Sequence, residues 1–294
     1  MTQRALITGL NGFTGQYMAR ELADAGYEVH GLENLAATAA GNRQVDLCDP
    51  EAVRQAIRAI KPNIVVHLAA IAFVAHGNAD DFYRVNLMGT RNLLAALSEV
   101  AEGIDCVLLA SSANVYGNRT GGILTEESLP DPANDYAVSK LAMEYMAKLW
   151  MDKLPIVIAR PFNYTGVGQS ENFLIPKIVS HFRRKEQRIE LGNLDVWRDF
   201  SNVRSVCNAY ANLIKMRPVG QTFNVCSGVG TSLREVVSAL ETLAGYQIEL
   251  NVNPAFVRAN EVKVLTGSAE RLNSVIPDWK PITLEETLRW MYSI

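Results

Sequence analysis

Short apolar runs alternate with helix-period segments over the first 160 residues. The runs are Arg4–Thr8, Tyr27–Leu32, Ile64–Leu68, Cys106–Ala110 and Pro155–Arg160. They are rich in Val, Ile and Leu and apolar on both faces, as strands inside a parallel sheet must be. Segments near 14–25, 50–60, 80–100 and 137–152 carry helical spacing between them. This order predicts an α/β fold, a Rossmann-type doubly wound parallel sheet.

The pattern breaks after Arg160, where Pro161, Asn163, Gly166 and Gly168 mark a change from sheet to loop. A helix is expected at 173–186, a strand at Arg188–Leu191, a helix at 203–216 and a strand at Thr222–Cys226. A helix-rich stretch is expected over 232–294. The division that follows is a nucleotide-binding domain at 1–163, with a return segment at about 199–227. A smaller C-terminal substrate-binding lobe takes 164–198 and 228–294.

Composition narrows the function classes. Hydrophobic residues are 48% and charged residues 20% of 294, ordinary for a globular chain, and the formal charge is −3. Bulk electrostatics therefore give no attraction to nucleic acid or to an anionic membrane. The opening lacks an apolar leader, and the longest apolar run, Ile64 to Ala75, is too short to span a bilayer. A cytoplasmic protein is expected. The four cysteines are scattered, so no metal site is expected.

The first run leads into Thr8-Gly9-Leu10-Asn11-Gly12-Phe13-Thr14-Gly15 and then a helix. Glycines there permit a tight turn and let the backbone approach a pyrophosphate, which the helix N-terminus attracts. Gly9, Asn11, Gly12, Phe13, Thr14 and Gly15 are thus read as cofactor-binding. Glu33 closes the second run, where a carboxylate accepts from ribose hydroxyls and repels a 2′-phosphate, so NAD(H) is favoured over NADP(H). Asp46, with Leu47 beside it, is placed to meet the adenine.

Tyr136 and Lys140 stand at i and i+4 and share a helix face. A nearby ammonium stabilises a phenolate, which would lower the pKa of Tyr136 and fit it to exchange a proton with a carbinol or ketone oxygen. Ser112 follows the fourth run, at the carboxyl edge of the sheet, and can hydrogen-bond the same oxygen. The catalytic set read from the sequence is Ser112, Tyr136 and Lys140.

Together with His67-Leu68-Ala69-Ala70, Asn86 in Asn86-Leu87-Met88-Gly89-Thr90, and Arg160-Pro161-Phe162-Asn163, these motifs resemble the extended short-chain dehydrogenase/reductase superfamily over nearly the whole chain. The resemblance implies cofactor contacts from Leu68, Ala69, Ala70, Asn86 and Pro161, and a homodimer. Gly192 to Phe200, Phe223 to Gly228, and Arg258-Ala259-Asn260-Glu261-Val262 resemble the GDP-sugar branch of that superfamily. In that branch Arg198 and Arg258 would contact the nucleotide or diphosphate and Glu261 its ribose. Asn163 and Lys177 would lie along the sugar and diphosphate path, with Ser112 and Asn114 at the sugar. Two departures stand out. Dehydratases of the branch carry acidic residues just after the catalytic hydroxyl, and here those positions are Ala113 and Asn114. The usual Arg-Pro-x-Glu loop reads Arg258-Ala259-Asn260-Glu261.

The expected reaction is reduction of the 4-keto group of a GDP-4-keto-6-deoxyhexose to a GDP-6-deoxyhexose of rhamnose or talose type. A nucleotide-sugar 4-epimerase uses the same three residues and is the alternative, favoured by the NAD leaning of Glu33. A non-catalytic subunit on the same fold is the third reading, opposed by the intact set.

Overall fold

The computed structural model describes residues 2–34, 41–72, 78–100, 102–117, 122–257 and 262–294. Six parallel strands follow one another through the first half: β1 (Arg4–Thr8), β2 (Glu28–Glu33), β3 (Asn42–Gln44), β4 (Ile64–His67), β5 (Cys106–Ala110) and β6 (Ile156–Pro161). Strands β7 (Asn163–Thr165), β8 (Arg188–Leu191) and β9 (Trp197–Asn202) precede β10 (Thr222–Val225), which returns to the main sheet. The main sheet has seven strands in the order β10-β6-β5-β4-β1-β2-β3. The order reverses between β1 and β4, and ligands of such sheets bind outside the strand ends at that point.

Alternate residues of each strand feed opposite cores. Ala5, Ile7, Ile64, Val66 and Leu108 pack with α1 (Phe13–Asp24) and, later in the chain, Val203–Met216. Leu6, Val65, Val107 and Leu109 pack with α2 (Pro50–Ile60), the helix Thr90–Val100 and the helix Asp135–Lys148. Both faces are covered, which is why the strands read as unbroken apolar runs. The helices fall close to their expected places. In order after α2, they are α3 (Ala79–Asp81), α4 (Thr90–Val100), α5 (Asp135–Lys148), α6 (Leu174–Arg183), α7 (Val203–Met216), α8 (Leu233–Ala244), α9 (Glu270–Val275) and α10 (Leu284–Ser293). The expected helix at 80–100 is a continuous rod whose middle, Phe82–Gly89, widens to π-helical geometry.

The second half differs from expectation in one respect. Strand β9 does not join the main sheet. It pairs with β7, with β11 (Gly230–Ser232) and with β13 (Val264–Leu265), so of residues 199–227 only α7 and β10 return to the main sheet. The stretch after 232 is helix-rich, with α8, α9 and α10, and it also holds β12 (Glu249–Val252), which pairs with β8, and β13, which pairs with β9. The lobe has its own core, built by α6, α8 and α10 against β8 and β9. Among the described residues no helix is long and apolar enough to cross a membrane. Among those residues, too, no cluster of metal-ligating side chains occurs.

Candidate active site

A cleft of about 500 Å³ opens at the carboxyl edge of the sheet, between the two lobes. Its floor is the glycine turn. Gly9 has φ +74°, and a Cβ there would meet the Ala69 backbone at 3.0 Å. A Cβ on Gly15 would lie 2.2 Å from the Gly9 carbonyl oxygen, so only glycine lets α1 start this close to β1. Helix α1 follows Gly12 at its cap position, without a side-chain cap and with no acidic residue in its first turn. Its free N–H groups and positive end suit a phosphate.

Gly9, Gly12, Phe13, Thr14, Gly15, Leu68 and Ala70 line the cleft on the cofactor side. Ser112, Asn114, Tyr136, Lys140, Pro161 and Asn163 line it opposite, so the structure brings these sequence-predicted residues together. Ser112 is the cap of a short 3-10 turn, Ala113–Tyr116, its Oγ accepting from the Asn114 N–H. Asn134 caps α5, accepting from the Ala137 N–H, which starts the helix just before Tyr136. Lys140 lies one turn further on and donates to the Ala110 carbonyl at 2.8 Å.

The electrostatics of the pair differ from the expectation of a lowered phenol. Burial raises the pKa of Tyr136 above its ordinary value, and hydrogen bonding with the Ser112 side chain opposes this. Burial pulls Lys140 down to about 8, opposed by the negative charge of Glu144. His67, enclosed between the hydroxyls of Thr8 and Thr90, is held down to about 3 by burial and by the Lys140 charge, and stays neutral.

Other candidates sit beside the cleft or away from it. Glu33 is buried and its Oε1 accepts from the Asn11 N–H at 2.9 Å, tying β2 to the glycine turn. Ala69 supports that turn through its backbone and is itself outside the lining. Asp46 does not line the cleft; it accepts from the Cys48 N–H. Leu47 is buried against Gly89, and its carbonyl accepts from Asn92. Asn86 is buried too, and its amide bonds both backbone groups of Ile71 and Ser139 Oγ. Lys177 donates to the Glu190 carbonyl and lies 4.4 Å from the centre of the Phe256 ring, away from the cleft. Arg198 donates to the carbonyls of Trp197 and Lys263. Arg258 and Glu261 lie outside the described residues.

The sequence reading missed Tyr164 and Phe173 in the lining. Tyr164 shares a hydrogen bond with the Thr14 hydroxyl at 2.9 Å and stacks on Phe13, joining the start of the second lobe to the glycine turn. Its position in the Asn163-Tyr164-Thr165-Gly166 loop was the available signal.

The profile of the NAD dependent epimerase/dehydratase family matches residues 5–226, and the chain belongs to that family. It is an NAD(P)-dependent oxidoreductase of the extended short-chain dehydrogenase/reductase type. It is 35% identical to a GDP-6-deoxy-D-talose 4-dehydrogenase of Aggregatibacter actinomycetemcomitans, across 98% of this chain and 97% of the relative. It is also 35% identical to a GDP-6-deoxy-D-mannose reductase of Pseudomonas aeruginosa, across 100% and 97%. Among solved structures, RMD from Pseudomonas aeruginosa complexed with NADPH superposes with a TM-score of 0.87 at 33% identity, covering 99% and 98%. A Burkholderia cenocepacia J2315 protein, provisionally named an epimerase, superposes at 0.93 with 54% identity, covering 99% and 97%.

Proposed function

We propose that this enzyme reduces the 4-keto group of a GDP-4-keto-6-deoxyhexose, giving a GDP-6-deoxyhexose. One observation carries the reading: the cleft brings Ser112, Tyr136 and Lys140 together, and no Asp or Glu is among the described residues that line it. Redox at a sugar carbon needs a proton donor beside the oxygen, which this site has. Loss of water across carbons 5 and 6 needs an additional base and acid, and Ala113 and Asn114 supply neither. The nearby carboxylates are engaged elsewhere, Glu126 with the Asn224 N–H and Asp135 with the Tyr83 hydroxyl. The two GDP-6-deoxysugar relatives, matched end to end, support the same substrate class.

The residues fit a nicotinamide dinucleotide. The glycine turn leaves room at the start of α1 for the pyrophosphate, and Glu33 stands at the end of β2 for the adenosine ribose. Bound there, the nicotinamide supplies the hydride. Tyr136, kept protonated by burial, gives its proton to the oxygen on carbon 4, and Ser112 hydrogen-bonds that oxygen. Lys140 presents its ammonium one helical turn away and steadies the phenolate that Tyr136 leaves. The single carboxylate at the end of β2 favours NADH over NADPH.

A 4-epimerase is the second reading, favoured by that same Glu33, because an epimerase retains NAD. The deciding experiment supplies GDP-4-keto-6-deoxymannose with NADH or NADPH and identifies the sugar by NMR. Stoichiometric oxidation of the nicotinamide with formation of a GDP-6-deoxyhexose is expected. With GDP-mannose and catalytic NAD(P), mass spectrometry is expected to find no loss of water. A dehydrated product, or interconversion of 4-epimers without net nicotinamide turnover, would replace this function with another.

A further inference from the structure

Behind the cleft lies a buried ion pair that does not take part in the proton transfer just described. Glu144 stands one turn beyond Lys140 on α5 and is 3% exposed. Its carboxylate accepts from Arg160 Nε and Nη2 at 2.8 and 2.6 Å and from the Ser111 hydroxyl. Arg160 Nη1 donates to the Tyr116 hydroxyl, which donates to Asn224 Oδ1. The network draws on α5, β6, β10 and the end of β5. Three of its members adjoin site residues: Ser111 precedes Ser112, Arg160 precedes Pro161, and Glu144 follows Lys140. Desolvating two ions roughly cancels their attraction, so such a pair adds little to stability by itself.

We propose that Glu144, fixed by Arg160 and Ser111, is a positioning residue whose buried negative charge keeps Lys140 an ammonium ion at neutral pH. The inference rests on the role given to Lys140 above. Among the described residues the groups around Lys140 are few. On α5 they are Tyr136 and Glu144. Strand β5 presents the Ala110 carbonyl, followed by Ser111 and Ser112, and β4 presents His67, which is neutral. On β6, Arg160 is committed to Glu144, and behind it the Glu126 carboxylate is turned to the Asn224 N–H. Glu144 is thus the carboxylate on Lys140's own helix, one turn away. Burial already brings Lys140 down to about 8. Without Glu144 the charge that opposes burial is gone, and the ammonium is held less firmly.

Three variants test this: Glu144→Gln, the double variant Glu144→Gln with Arg160→Met, and Glu144→Asp. The double variant removes both charges, so the fold need not bury an unpaired arginine. The alkaline limb of kcat/KM is expected to move at least about one pH unit lower in Glu144→Gln and the double variant, about a tenfold loss on that side. Glu144→Asp, which keeps the charge, should restore the position of the limb. Melting gives a readout independent of activity. A lysine with a lowered folded pKa makes stability rise with pH between its folded and unfolded values. Lowering the folded value extends that window downward. The Tm of the double variant should therefore gain on that of the unsubstituted enzyme between pH 6 and pH 8. An unmoved limb and parallel Tm trends in a folded double variant overturn the proposal. Inactivity of the unsubstituted enzyme on the 4-keto sugar would instead overturn the function, while the Tm comparison still judges Glu144.

Discussion

At the scale of single residues, burial acts on two neighbours on one helix face. Burial keeps Tyr136 protonated and keeps Lys140 close to losing its charge. Tyr136→Phe keeps the ring and its edge contact with Phe82 but removes the proton donor. Turnover is expected to fall by at least about 100-fold with cofactor affinity nearly unchanged, measured by steady-state rates and nicotinamide fluorescence. Activity within a few-fold of the parent would remove Tyr136 from the mechanism. Glu33 makes a separate prediction. Its carboxylate accepts from the glycine turn, and in the proposed cofactor placement it receives the ribose, so Glu33→Ser with Asn34→Arg would exchange repulsion of a 2′-phosphate for attraction. The ratio of kcat/KM for NADPH over NADH should rise by about tenfold or more, the worth of one good charged contact. An unchanged ratio would mean that Glu33 serves only the turn.

At the scale of elements, the π-helical segment Phe82–Gly89 grips the start of α5. Phe82 meets the Tyr136 ring edge-on, Tyr83 donates to Asp135, and Asn86 donates to Ser139. Wide helical turns of this kind occur often at functional sites, where they aim side chains. Asn86 also closes both backbone groups of Ile71, so its amide satisfies buried polar groups on two elements. Asn86→Leu would leave those groups unpaired, at a cost of about 1–3 kcal/mol. A lower Tm together with a reduced kcat is expected. A variant with both parameters at parental values would show that the segment does not position Tyr136.

At the scale of the whole molecule, the two lobes are joined around the glycine turn. Tyr164 reaches Thr14, the Tyr17 hydroxyl donates to the Val167 carbonyl, and Tyr17 packs edge-on against Trp290 of the last helix. Away from the cleft, α5 and its C-terminal cap present Val138, Tyr145 and Leu149 to solvent, the last two 58% and 78% exposed. Their spacing puts them on one face, an apolar strip that a second copy of the chain would cover. We therefore expect a homodimer through α5. Light scattering after size exclusion should show Tyr145→Lys with Leu149→Glu as a monomer and the parent as a dimer. A parent of monomer mass would remove this expectation.

Local signals were enough for the parallel sheet, most helices, the glycine turn and the Ser112, Tyr136 and Lys140 set. Each of these is written in spacing over a few residues or in strand–helix order: Gly9, Gly12 and Gly15 at a strand end, Tyr136 and Lys140 one turn apart. Contacts between distant segments carry no period, and there only the tertiary structure decided. It placed β9 with β7, β11 and β13, and it closed Tyr164 onto Thr14 across 150 positions. It also supplied the bonds within the chain that Asp46, Asn86, Lys177 and Arg198 make, which no motif states. The network of Glu144, Arg160, Tyr116 and Asn224 shows the reason most clearly. Its members come from elements that touch only after the sheet has formed, and a charge acquires its meaning from what is buried beside it.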